Sequence, residues 1–318
     1  MINSNGVSHA KTRAIVIVLF LLGLLAPALV YPILLMKILC FGLFAAAFNL
    51  LLGFAGLLSF GHAAFLGLAG YVCGYMLRDV GVSPELGILT GTVAAAALGW
   101  VFGMLAIRRT GIYFAMVTLA LAQMVYFIFL QAPFTGGEDG LQGIPRGTIL
   151  GLISLSDDLN LYYFVLAIFV FAFWLIYRTI HSPFGHVLTA IRENEPRAIS
   201  LGYDVAKYKL LAFVLSAGLS GLAGATKMLV FKFATLTDAH WHGSGEVVLM
   251  TILGGMGTVL GPVVGSSVIV TLQNELADKV GSLVTVIMGV IFVVCVLAFR
   301  RGIVGEVSAL YKRMIGAP

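Results

Sequence analysis

Residues 38–77 read ILCFGLFAAAFNLLLGFAGLLSFGHAAFLGLAGYVCGYML, forty positions without one Asp, Glu, Lys or Arg. As a single helix this stretch would run about 60 Å, twice the ~30 Å hydrocarbon core of a bilayer. It reads as two spans. The break falls between Gly53-Phe54-Ala55-Gly56 and Gly61-His62, its one glycine-rich interruption with polar side chains. The 318-residue chain is 60% hydrophobic and 10% charged, with a mean hydropathy of +1.04. An ordinary soluble domain carries about 25% charged residues. The excess of apolar material needs a bilayer to take it, so the fold class is an all-α polytopic membrane protein.

Upstream, residues 1–13 are polar and form a short tail, and 14–35 hold no charge over 22 positions. That run is too long for a signal-peptide core and reads as a retained first span. Downstream, spans are expected at 86–107, 111–131, 162–177, 210–231 and 280–299, with a 28-residue uncharged run at 247–274 interrupted by Gly254-Gly255-Met256-Gly257. Ser216, Ser220 and Gly224 make a small-residue face on the 210–231 span, as do Gly257, Gly261 and Gly265 on the later run. Such faces let helices approach closely in lipid.

Lys and Arg near span ends mark the cytoplasmic side. The N-terminus, Arg108-Arg109, the loop 178–209 and Arg300-Arg301 all claim it. Alternation satisfies the first three but not the last, if 247–274 is a single crossing. Parity is restored if that segment enters, breaks at its glycines and returns, a geometry tolerated where the backbone is buried in protein or lines a cavity. The expectation is about ten membrane segments, some short or re-entrant. The transmembrane domain then covers 14–305, with N- and C-terminal tails (1–13 and 306–318) both cytoplasmic.

The formal charge of +5 is spread between apolar runs rather than gathered in a patch, which argues for orientation in lipid and against nucleic acid. Cys40, Cys73 and Cys295 all sit in hydrophobic runs, without metal or disulfide spacing. No P-loop occurs, and Asp and Glu are nearly absent from the spans, so neither a nucleotide site nor a carboxylate-based proton carrier is expected. The chain reads as no enzyme, with no cofactor and no metal. Asp238, His240, Trp241 and His242 could suggest metal, but a wetted loop with an interfacial Trp suits them better.

Four groups stand out as candidates. Asn49, Ser59 and His62 surround the first break, and either line a path or bond neighbouring helices. Tyr113, Thr118 and Gln123 on the fifth span admit the same two readings. Gly254, Gly255 and Gly257 form either a hinge or a close helix contact. The fourth is 181–209, too elaborate for an orienting loop: Ser182 caps a helix with Pro183 in its first turn, Asn194 or Glu195 caps a second ahead of Pro196, Gly202 ends it, and Asp204 caps the next. Arg192, Glu193, Glu195 and Arg197 are expected to face outward as a docking surface.

Five ordered blocks now carry a resemblance. NLLLGFAGLLSFGHAAFLGLAGY, GIYFAMVTLALAQ, TGGEDGLQGIP, SPFGHVLTAIRENEPRAISLGYDVAKYKLLAFVLSAGLSGLAG and ILGGMGTVLGPVVG resemble the M-type permease subunits of branched-chain amino-acid ABC importers, from about 38 to 305. The chain departs at His186, where relatives often carry arginine. The resemblance implies a bacterial inner-membrane protein paired with a paralogous H-type permease, two ATP-binding subunits and a periplasmic substrate-binding protein. It makes 185–202, with Gly185, Arg192, Glu193, Asn194, Glu195, Arg197 and Gly202, the coupling segment toward the ATPase. Related urea importers share most blocks, so urea or another short amide stands beside amino acids as cargo, and a stand-alone channel is the alternative of a different class.

Overall fold

The computed structural model describes residues 23–28, 30–149, 151, 153–298 and 302–306. Residues 1–22, with them the first nine positions of the expected first span and the whole N-terminal tail, lie outside that set, as do Arg300, Arg301 and the C-terminal tail after Glu306. The described chain is helical almost throughout. Helix α1, Pro32–Asn49, runs on through the π-turn Leu50–Phe54 and ends where Gly56 takes a left-handed φ of 72°. Helix α2 starts only at His62 and spans His62–Tyr75, then runs on through the π-turn Met76–Val80 to a left-handed Gly81. Then come α3, Pro84–Ala106, α4, Ile112–Gln131, and a polar loop holding the short antiparallel pair Thr148–Ile149 and Ile153–Ser154. Helix α5 is Asp158–Ile180, α6 Pro183–Glu193, α7 Glu195–Ser200 and α8 Val205–Phe231. The chain closes with α9, Trp241–Gly254, α10, Gly261–Val280, and α11, Val284–Ala298.

Among the described residues, five helices are long and apolar enough to cross a membrane: α1 with its π-turn, α3, α4, α5 and α8. The protein is an all-α membrane protein; ten segments are not established. Helix α2 with its π-turn, 14 and 5 residues, runs about 28 Å but ends in the charged pair Arg78–Asp79 and is not one of the five. Helix α9, at 14 residues, spans about 21 Å, short of a bilayer core, and α10 carries Gln273, Asn274 and Glu275.

Helix α8 is central and packs on α1, α2 and α3. Its small residues explain why. A Cβ at Gly224 would lie 2.0 Å from the Leu66 carbonyl oxygen on α2, and one at Gly221 2.3 Å from Ala95 Cβ on α3. Lipid tails give apolar helices no hydrophobic reason to associate, so close backbone approach and interhelical hydrogen bonds hold the bundle.

The run 247–274 is no straight helix. Helix α9 ends at Gly254, Gly255 takes φ 119° and Gly257 φ 74°, and α10 returns antiparallel to α9. A Cβ at Gly254 would lie 1.8 Å from Gly261 O, and one at Gly265 1.9 Å from Met250 O; farther out, Gln273 Nε2 donates to Glu246 Oε1 at 3.2 Å. Three glycines let the two helices touch along their backbones.

Candidate functional site

The helix pair α6–α7 is built from local chemistry. Ser182 Oγ accepts from Gly185 N at 3.4 Å, Asn194 Oδ1 from Arg197 N at 3.0 Å, and Asp204 Oδ1 from Lys207 N at 3.2 Å. Gly202 turns left-handed with φ 88°. Hydrogen bonds from Lys207 hold the exposed Asp204 carboxyl below its ordinary range. Ile191, Ala198 and Val205 form a small core of their own beneath the pair. The nearly buried Lys209 on α8 donates to Glu195 at 2.7 Å, and α6 lies so close to α5 that a Cβ at Gly185 would stand 2.1 Å from Ile180 O. The pair is therefore fastened to the bundle.

Two of the residues expected outward also reach back to the bundle. Half-buried Glu195 pairs with Lys209, and Arg192, itself exposed, donates from Nη1 to the carbonyl oxygen of Gly53. The reason is local. The α1 break frees that carbonyl, and Gly56 leaves room for the arginine stem, since a Cβ there would lie 2.7 Å from Arg192 Cγ. Glu193 and Arg197 remain exposed, alongside Ile199, Leu201 and Tyr203, which are 57%, 69% and 41% exposed. A polar helix pair with an uncovered apolar patch has the make-up of a docking surface.

The Arg192 contact opens onto a junction. Asn49 Nδ2 donates to Thr258 O at 2.9 Å, and Gly257 N donates to Asn49 Oδ1 at 3.0 Å. One side-chain amide thus satisfies two backbone groups at the α9–α10 turn. Gly53 stands so near that a Cβ would lie 2.2 Å from Asn49 Oδ1 and 2.6 Å from Gly257 N. A Cβ at Gly302 would fall 2.3 Å from Gly255 Cα, so the helical stretch 302–306 also meets the turn. The α1 break, the hairpin turn and the inner face of α6 converge on one point.

The start of α2 is buried, and its free N–H groups need acceptors. Thr118 Oγ1 accepts from Phe60 N at 3.2 Å, Ser59 Oγ from Gly61 N at 3.2 Å, and Ser244 Oγ from Ala63 N at 2.9 Å. His62 lies among Phe48, Phe65 and Phe213, edge-on to each, with Nε2 2.8 Å from Ser216 Oγ. Ser216 gives its one proton to Ala47 O at 2.6 Å. His62 must then carry its proton on Nε2, which leaves Nδ1 a buried acceptor with no donor. Ser220 Oγ and Gln123 Nε2 are likewise buried and unpartnered. Tyr113, at the first turn of α4, is 73% exposed and stands apart from these groups.

A second polar cluster lies at the end of the bundle remote from the helix pair; Asp238 was singled out in the sequence, but Lys37, Lys227 and Glu246 were not. Lys227 on α8 pairs with Asp238 and lies 5.5 Å from the Phe41 ring centroid, and Glu246 on α9 feels the charges of Lys227 and of Lys37 on α1. Lone charges within or beside apolar runs were the available signal. The rings of His240, Trp241 and His242 stack nearby, and burial with His242 alongside lowers the His240 imidazole below its usual range. Among the described residues no group of three or more His, Cys, Asp or Glu is placed to hold a metal. Cys40 and Cys73 are buried free thiols; the Cys295 side chain lies outside the described set.

Comparison with known proteins meets this architecture at the level of family. The model of the family described as branched-chain amino acid transport system, permease component, matches residues 30–297. The high-affinity branched-chain amino acid transport system permease protein LivM of Escherichia coli is 26% identical over 291 residues, covering 82% of this chain and 68% of its own. The ribose import permease protein RbsC of Bacillus subtilis is 28% identical over 237 residues, 70% of each chain. The autoinducer 2 import system permease protein LsrC of Salmonella typhimurium is 25% identical over 224 residues, covering 66% of this chain and 60% of its own. No solved structure matches. With more than half its length matched by the family model and its helices built to span a bilayer, the chain belongs to the family of branched-chain amino acid transport system permease components.

Proposed function

We propose that this chain is a permease subunit of an ATP-binding-cassette importer that carries branched-chain amino acids from periplasm to cytoplasm by alternating access. The α6–α7 pair faces the cytoplasm and receives a separate ATPase on Glu193, Arg197, Ile199 and Leu201. A paralogous permease completes the path, a second ATP-binding subunit serves it, and a periplasmic binding protein delivers the cargo. Both termini lie in the cytoplasm.

The observation that carries this reading is the junction. Arg192 reaches from the docking pair to Gly53 at one helix break, and Asn49 ties that break to the hairpin turn at Gly257 and Thr258. Movement of the pair is delivered to two interrupted helices, the elements that line substrate sites in transporters with broken helices. The groups nearest the breaks, Asn49, Ser59, His62, Thr118, Gln123, Gly254, Gly255 and Gly257, border the path; Tyr113 faces outward, where the paralogous subunit would complete it.

Reconstitution with the products of neighbouring transport genes tests the reading. Proteoliposomes should accumulate leucine, isoleucine and valine only with ATP and the binding protein. Accumulation of ribose or urea instead would overturn the substrate, and ATP-independent equilibration would make the protein a channel.

A further inference from the structure

Between α8 and α9 the chain runs along the bundle rather than over its end. It turns at Lys232, with φ 62°, pairs Ala234 with Leu141 in an antiparallel bridge, and descends beside α2 through the 3-10 turn Leu236–Ala239. Three neighbouring helices mark its depth. Ala239 packs on Gly67, where a Cβ would lie 2.6 Å from Ala239 Cβ, and Gly67 stands eight positions before Tyr75, about 12 Å. Asp238 pairs with Lys227, whose Nζ lies 5.5 Å from the Phe41 ring centroid. Phe41 is nine positions into α1, about 14 Å. The His240 ring meets Tyr126 edge-on at 5.0 Å, five positions before the end of α4, about 8 Å. Ser244 Oγ then accepts the Ala63 N–H at the buried start of α2.

The open side of this descending stretch is polar. Thr237 and His242 are exposed, and Thr235 and His240 half-buried. Thr235 Oγ1 and Thr237 Oγ1 lie 2.7 Å apart, and His240 Nδ1 and His242 Nδ1 2.8 Å apart. The Asp238 carboxylate is answered by Lys227. Irregular backbone does not face hydrocarbon at membrane depth; it is tolerated where it is buried in protein or lines water.

We infer that residues 235–242 line a water-filled outer half of the translocation path, with Thr237 and His242 on its wall and Tyr126 beside them. Helix α9, about 21 Å long, is too short to cross a bilayer core alone. Joined to this stretch it makes one crossing, helical in its inner half and wetted in its outer half. The wall offers hydroxyls and imidazoles rather than fixed charges, suited to a small polar solute. The inference rests on the permease reading of the chain.

The test measures thiol reactivity in the assembled permease–ATPase complex in lipid nanodiscs, with the charged reagent sulfonatoethyl methanethiosulfonate. A thiol in hydrocarbon stays protonated and reacts slowly, whereas one in water ionises and reacts. Thr237→Cys and His242→Cys are compared with Val93→Cys, nine positions into α3 and 58% exposed, after subtraction of wild-type labelling. In the nucleotide-free or the vanadate-trapped complex, whichever reacts faster, both positions should label at least tenfold faster than Val93→Cys. Each rate should also change at least tenfold between the two states, as an alternately opened path requires. A rate near that of Val93→Cys at either position would put the stretch against lipid or the paralogous subunit and overturn the inference. Equal rates in the two states, as a crevice outside the path would give, would overturn it too. Either failure beside intact ATP-driven uptake by the wild-type complex in proteoliposomes removes this path alone. Absence of ATP-driven uptake there removes the permease reading, and the path with it.

Discussion

Asn49 shows how a single amide can join two distant pieces of chain. Its oxygen and nitrogen answer Gly257 N–H and Thr258 C=O, more than 200 positions away. In Asn49→Leu both backbone groups lose their partner, at about 1–3 kcal/mol each where burial keeps water out. The purified permease should therefore unfold at a lower temperature and transport poorly. Asn49→Asp keeps the acceptor for Gly257 and should lose less. The sequence marked Asn49 as an interruption in an apolar run, yet could not name its partner. Arg192 was legible as an exposed charge on a capped helix, but its bond to Gly53 was not, because that reach depends on Gly56 lacking a side chain and on the Gly53 carbonyl being left free.

At the scale of elements, local chemistry was readable and long-range pairing was not. The three caps at Ser182, Asn194 and Asp204 act within three residues, so their spacing alone places α6, α7 and the start of α8. The break before His62 was visible as glycines, while the acceptors from Thr118 and Ser244 that make a buried helix start tolerable come from other helices. Lys37, Lys227 and Glu246 passed unnoticed at the edges of apolar runs, since their meeting needs three helices to assemble. The hairpin gives this scale its prediction. Gly254→Ala places a methyl 1.8 Å from Gly261 O and should destabilise the permease by about 1–3 kcal/mol through overpacking. Gly245→Ala on the same helix meets nothing within 4 Å and should leave the unfolding temperature unchanged. Equal effects from both would mean that α9 and α10 do not pack backbone to backbone.

For the molecule as a whole, the membrane class follows from composition, while sidedness depends on the hairpin. The turn lies beside Arg192 on one side and Gly302 on the other, so the chain after α11 should emerge on the same face as the helix pair. A reporter enzyme fused after Glu306 should be active in the cytoplasm, and a cysteine at Thr189 should resist membrane-impermeant reagents in intact cells. External activity or ready labelling would reverse the orientation.

The central claim is that the docking pair drives the broken helices through Arg192, and the ratio of leucine accumulated to ATP hydrolysed by the reconstituted importer tests it most directly. Arg192→Ala leaves Glu193, Arg197, Ile199 and Leu201, the exposed residues proposed to receive the ATPase, in place, so the ATPase should still bind and turn over. Coupling free energies between sites are typically worth about 5- to 150-fold, and uptake per ATP should fall about tenfold. A variant that hydrolyses ATP and accumulates leucine in the wild-type ratio would contradict the account.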